Sequence, residues 1–272
     1  MDKATGKDTP DHIDAIIILA RAGYGARGIV YLLVGGLATL AAFGQGGQTT
    51  GSRGALMRIL ETSWSDVLLG LMILGFLGFG LWRAIQAIRD TDHHGTAAMG
   101  ILIRSGLLVS AIIHAVLAFF AASLIFTLGV PSGGSGGGSA DVATRLMSHP
   151  FGRWAVAAVG VAFVGAGIAH GIKAWKTQFD RHFNMPMRVQ YWAYPICRFG
   201  LLIRGLVFVI VGGFFFVAAY EFDPDEAGGV AEVFTLLSRM AFGQSLLVLV
   251  ATGLFAFGIY SLLEAIYRRI EP

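Results

Sequence analysis

The sequence predicts an all-α polytopic membrane protein: six transmembrane helices, built as three tandem two-helix repeats with pseudo-threefold symmetry about the membrane normal. Three observations predict it. Hydrophobic residues make up 55% of the 272 residues and charged residues 14%, against roughly 25% charged in a soluble domain. The 38 glycines sit inside apolar runs, where small residues let helices approach closely in lipid. Apolar stretches of about 20 residues, the length a spanning helix needs, recur along the whole chain.

The polar segment 1–14 reads as a cytoplasmic tail. It lacks the basic start, short apolar run and small-residue cleavage site of a secretory signal, so the first span is expected to be retained. That span is expected at 23–43, followed by 67–88, 104–129, 154–175, 199–219 and 245–267. Before the second, fourth and sixth spans stand the amphipathic segments ALMRILETSW, DVATRLMSHPF and EVFTLLSRMAF, which read as short interfacial helices. The run SGGSGGGS (132–139) has the composition of a flexible linker. The single cysteine, Cys197, excludes an intrachain disulfide and a metal-thiolate cluster.

Orientation follows from Lys and Arg. One side collects Lys3, Lys7, Arg21, Arg27, Arg83, Arg89, Arg104, Lys173, Lys176, Arg181, Arg188, Arg198, Arg204, Arg268 and Arg269. The other has Arg53, Arg58, Arg145, Arg153 and Arg239. This bias places both termini, and the second and fourth loops, in the cytoplasm.

Internal repetition is legible in register. Three first helices begin Arg21-Ala22-Gly23, Arg104-Ser105-Gly106 and Arg198-Phe199-Gly200, which aligns Arg27-Gly28 with Ser110-Ala111 and Arg204-Gly205. The second helices align as FGLWRAIQAI from Phe79, AGIAHGIKAW from Ala166 and FGIYSLLEAI from Phe257. The repeats are expected at 15–92, 93–178 and 179–272. Each begins and ends on the same side, so the natural arrangement is a ring, not the inverted repeat of many transporters.

The segment ARAGYGARGIVYLLVGGLA (20–38) and the three Arg-x-Gly starts resemble a bacterial membrane family known only as domain of unknown function 1206, a tandem triplicated two-helix domain. The likeness covers roughly residues 15–270, and the second repeat departs from it at Ser110-Ala111. It implies the fold and a bacterial plasma-membrane setting, and brings no activity or catalytic residues.

Ionisable groups within spans are costly and point to function. At 1.5 Å per residue, Arg27 and Arg204 lie about 9 Å beyond the Arg-x-Gly starts and His114 about 15 Å. Arg83 and His170 are equivalent on second helices, as are Gln86, Lys173 and Glu264. Arg27, Arg83, Arg204, His170 and Lys173 are expected to line a basic pocket open to the cytoplasm, with Lys173 and Glu264 paired across repeats. It would take an anionic ligand or lipid head group; the plainer reading is that these side chains snorkel to phosphates. His114, Glu264 and Tyr31 complete the intramembrane polar set, with His114 expected to bond across helices. Arg21, Arg104 and Arg198 read as interface anchors.

The chain has no Ser-His-Asp order, HExxH or Walker A motif in a suitable context, and its GxGxxG at Gly23 follows no strand. No catalytic residue, metal or cofactor is expected, and no nucleic-acid partner. Partners are the bilayer and anionic lipid head groups. The outer halves of the spans are almost wholly apolar, which favours a non-enzymatic scaffold or accessory protein. A channel or transporter for a small anionic solute is the alternative, then an intramembrane enzyme or haem electron carrier.

Overall fold

The computed structural model describes residues 10–45, 49–61, 63–92, 94–126, 137–177, 180 and 183–270. Six long helices form the body: α1 (Pro10–Ala42), α3 (Ser65–Arg89), α4 (Ala98–Ile125), α6 (Gly152–Trp175), α7 (Met187–Glu221) and α9 (Gly243–Tyr267). All six are long and apolar enough to cross a membrane, so the chain is a multi-pass α-helical membrane protein. Three short helices, α2 (Ser52–Leu60), α5 (Gly137–Met147) and α8 (Val230–Ser238), precede α3, α6 and α9. They form where the amphipathic segments were expected, at the end of the bundle opposite that where α1 starts and α9 stops. That second end is called the terminal end below.

Two helices begin well before their expected spans. α1 starts at Pro10, inside the expected tail, and α7 starts at Met187, twelve residues ahead of 199. Pro10 lies at the first turn, where proline's missing N–H is no loss. Exposed Tyr191 and Trp192 lie on the early turns of α7, the side chains expected at a membrane interface. The glycine-rich run is not all linker: Gly137–Ser139 form the first turn of α5. Its residues 132–136, with Lys3, Lys7, His93 and Arg181, lie outside the described residues.

The helices follow a cyclic order. Within a repeat α1 packs on α3, and α7 on α9; between repeats α3 packs on α4, α6 on α7, and α9 on α1. The inter-repeat contacts use equivalent residues. A Cβ on Gly80 would lie 3.2 Å from Ala111 O, one on Gly167 2.6 Å from Gly205 O, and one on Gly258 2.9 Å from Gly28 O. Lipid supplies no hydrophobic force between helices, so such close approach carries the association.

The contact that would close a ring is missing among the described residues: α4 and α6, the two helices of the second repeat, share no comparable interface. Only 17% of the apolar window of α6 and 28% of that of α4 are buried, against 61% in α9. The glycines tell the same story. Gly23 and Gly200 are pressed against Phe79 and Phe257, whereas the equivalent Gly106 meets nothing within 4 Å. Where the other repeats have those phenylalanines, the second has Ala166, and the phenyl that would fill the space is gone.

At the far end, Phe151 (φ 64°) and Phe242 (φ 61°) hold left-handed backbone at equivalent helix starts. That conformation is unfavourable for a bulky residue. Both rings, with Trp64 at the same repeat position, stand more than 70% exposed, and such rings favour the headgroup level of a bilayer.

Candidate functional site

The polar residues of the spans gather in the terminal half of the bundle. Their centre is Glu264 on α9, 3% exposed. Its Oε2 accepts from Arg27 Nη2 on α1. Its Oε1 accepts from Arg268 Nη1 at 2.7 Å and from the Tyr260 hydroxyl at 2.8 Å. Tyr260, Glu264 and Arg268 are four residues apart, so they share one helix face. Arg27 Nε also donates to Ser261 Oγ at 3.1 Å. A buried carboxylate persists only when its oxygens are fully partnered, and these are.

Lys173 reaches this group indirectly. Its Nζ donates to the Tyr260 hydroxyl at 2.7 Å, and that hydroxyl donates onward to Glu264. The expected pairing across repeats is therefore relayed through Tyr260, because Arg27 and Arg268 already occupy the carboxylate. Gln86, the first-repeat equivalent, receives Arg83 Nη1 at 3.1 Å and donates to Asp92 at 2.9 Å.

Aromatic rings hold the cations. Phe79 lies under Arg27 and Arg83, and the equivalent Phe257 under Arg27 and Arg204. Arg204 also stacks on Tyr31 and Phe208, with its Cζ 4.5 and 4.4 Å from the ring centroids. Cation–π contacts strengthen where water is removed, which lets guanidiniums stand in the bundle without a carboxylate each.

His114 and His170 behave alike. Each Nδ1 lies 2.7 Å from the carbonyl four residues earlier, Ser110 O and Ala166 O. A carbonyl only accepts, so Nδ1 carries the proton in both. The expected interhelical hydrogen bond of His114 is thus made within α4. Its contact across helices is aromatic, 4.5 Å from the Phe79 ring; His170 packs on Phe208 and Phe257.

Two of the three expected anchors have a further role. Arg104 donates to Ala87 O at 2.7 Å and Ile88 O at 3.0 Å, and Arg21 donates to Ile266 O at 3.2 Å. Ile88 and Ile266 are equivalent, so each arginine satisfies open carbonyls at the end of the helix preceding it in the cycle. Arg198 is exposed.

Of the residues read from the sequence, Arg27, Glu264, Lys173, Arg204, Tyr31 and His170 come together around Phe257 and Tyr260, while Arg83 and His114 meet at Phe79. Arg268, Tyr260, Ser261, Phe79 and Phe257 went unnoticed as site residues. The four-residue spacing of Tyr260, Glu264 and Arg268 was the available signal.

The balance of the cluster is cationic. Arg27, Arg83, Lys173, Arg204 and Arg268 surround Glu264, the one carboxylate buried there among the described residues, with Asp92 at the rim. Buried atoms without a hydrogen-bond partner concentrate in the same half: Arg204 Nε and Nη1, Arg83 Nε, Trp82 Nε1, Tyr24 Oη and Thr91 Oγ1. Four of these, on Arg204, Arg83 and Trp82, are N–H groups that only donate, while the two hydroxyls can also accept.

Fold and site together define a polytopic α-helical membrane protein with a triplicated two-helix unit and a cation-rich interior at one end. Residues 22–90, 105–177 and 199–268 each match the family described as Domain of Unknown Function (DUF1206), and the chain belongs to that family. It is similar to the uncharacterized protein YxxB of Bacillus subtilis (strain 168), 29% identical over 258 residues, covering 92% of this chain and 90% of that protein. No solved structure matches it.

Proposed function

We propose that this protein is a non-enzymatic scaffold or accessory protein of the bacterial plasma membrane that binds an anionic, phosphate-type group in its basic interior. The single observation that carries this reading is the set of buried donors without acceptors. Five cations face one carboxylate, and a phosphate would supply both the missing charge and the missing lone pairs. The charge bias along the chain supports a cytoplasmic position for the terminal end, and so for the cluster, where anionic head groups attract basic segments.

Arg204 and Arg83 are the binding residues of this reading, with Lys173 and His170 beside them. Arg27 belongs to the framework, since its guanidinium is taken up by Glu264 and Ser261. Binding is preferred to transport because the other half of the bundle is an apolar core of residues such as Val34, Ala38, Val211 and Phe215. Thr39, Ser123 and Thr252 in that half bond carbonyls of their own helices, so these hydroxyls offer no polar relay across it.

Native mass spectrometry of gently solubilised protein tests the reading. Wild type is expected to carry a defined anionic adduct, and Arg83→Gln/Arg204→Gln to lose it while staying folded. An adduct unchanged in the double variant overturns the proposal.

A further inference from the structure

The geometry points to a lateral entrance between α4 and α6 through which a membrane phospholipid seats its phosphate on Arg204. This inference rests on the basic interior as a phosphate site and names its ligand and route.

The entrance is a consequence of the second repeat's sequence. In the first repeat α1 meets α3 through Gly23 and Ala26, against Phe79 and Gly75; in the third, Gly200 and Ile203 of α7 meet Phe257 and Gly253. The equivalent second-repeat residues are Gly106 and Val109 on α4, and Ala166 and Ala162 on α6. Gly106, Val109 and Ile113 on one wall, and Ala162, Gly165 and Ala169 on the other, are all exposed. Among the described residues, neither Gly106 nor Gly165 has a neighbour within 4 Å for an added Cβ to meet. The walls are apolar and smooth, and lie within helices that span the membrane, so acyl chains are the solvent on this side.

Inside this opening stand N–H groups without acceptors. Among the described residues, Arg204 Nε and Nη1 are buried with no partner, and Arg83 Nε likewise. His170, on α6 beside Arg204, keeps Nε2 free of the bond that its Nδ1 makes to Ala166 O. Arg204 lies six residues, about 9 Å, beyond the exposed Arg198 along α7, a distance that a head group covers by following its own chain into the opening. A second copy of this protein is a poorer occupant: it would bring a further set of cations to a cluster that already has an excess.

The repeat pattern explains why only this side opens. Phe79 and Phe257 each fill the space beside a first-helix glycine and carry guanidiniums on their faces; Ala166 does neither. The second repeat also replaces the arginine of the others by Ser110. One repeat of three has thus lost both the plug and the cation at its own interface, so this side is open where the other two are filled.

The test is a plug. Gly106→Trp and Gly165→Trp place an indole where nothing is met, so the fold should tolerate them. Wild type, Gly106→Trp/Gly165→Trp and Arg83→Gln/Arg204→Gln are reconstituted in nanodiscs of phosphatidylglycerol and phosphatidylcholine, and retained lipid is counted by native mass spectrometry. Inorganic phosphate binding in detergent is measured alongside. Retained phosphatidylglycerol is expected to fall at least tenfold in the plug variant, with phosphate binding kept, and both to be lost in the arginine variant. Lipid retention unchanged by the plug overturns the lateral entrance while leaving the basic site standing. Lipid retention unchanged in the arginine variant removes the basic site itself. A dimer mass that the plug converts to monomer assigns the groove to a second copy and overturns the inference. Gly165→Ala, too small to block, should bind as wild type if the effect is steric.

Discussion

Replacing Glu264 by glutamine removes the one charge that three side chains share. Arg27 comes from α1, Tyr260 from one turn earlier on α9, and Arg268 from the residue that ends α9. The shape of the side chain is kept, so the loss is electrostatic and in hydrogen bonding. Breaking a buried pair from one side costs about 3–5 kcal/mol, because the remaining charge stays buried and unpaired. Here two guanidiniums are left, with Arg83, Arg204 and Lys173 already close. At about 2–4 °C per kcal/mol for a chain near this size, the melting temperature should fall by roughly 6–20 °C. Cys197 offers the assay. It is the single cysteine and fully buried, so a thiol-reactive fluorophore reports unfolding at one site. Glu61→Gln is the control: its pair with Arg58 is at the surface and is worth at most a few tenths of a kcal/mol. A Glu264→Gln protein melting within about 3 °C of wild type would refute the assignment of Glu264 as the keystone of the cluster.

Two further outcomes follow from particular contacts. Gly167→Ala should destabilise by about 1–3 kcal/mol, since its new Cβ would lie 2.6 Å from Gly205 O; Gly165→Ala, two residues away with nothing within 4 Å, should be neutral or stabilise by up to about 1 kcal/mol. The same thiol-labelling melt distinguishes them, and equal effects would contradict the packing of α6 on α7. Asp90, at the end of α3, accepts from the amides of Gly95 at 2.7 Å and His94 at 2.8 Å; the Gly95 N–H first, then His94, holds its carboxyl below the usual range. A depressed folded value means this contribution is complete above the ordinary carboxylate range and lost as pH falls through the folded value. Amide exchange at Gly95, corrected for its intrinsic rate, should therefore accelerate on acidification in wild type and show no such step in Asp90→Asn.

How much was legible depends on how far apart the interacting residues lie. The six spans and three short helices are local: a run of apolar side chains or an amphipathic segment of nine to eleven residues declares itself without reference to any neighbour. The early starts of α1 and α7 escaped because interfacial turns carry polar and aromatic residues that hydropathy reads as loop. The candidate site was half visible. A charge within an apolar helix is conspicuous, so Arg27, Arg83, His114, His170, Lys173, Arg204 and Glu264 could be picked out one by one. Arg268 hid at the end of its helix, where a basic residue is usual, and Phe79 and Phe257 hid among twenty phenylalanines.

By itself the sequence determined the membrane class, the number of spans and the threefold repetition, since each follows from composition and period along one dimension. Only the tertiary structure decided that Glu264 is taken by Arg27 and Arg268, that Tyr260 stands between it and Lys173, and that Arg204 keeps Nε and Nη1 without a partner among the described residues. Those outcomes depend on which helices are neighbours and how closely their glycines let them approach. The open side between α4 and α6 is of the same kind: Ala166 and Gly106 are ordinary residues in an apolar helix, and their smallness matters only because the other repeats set a phenyl ring at that contact.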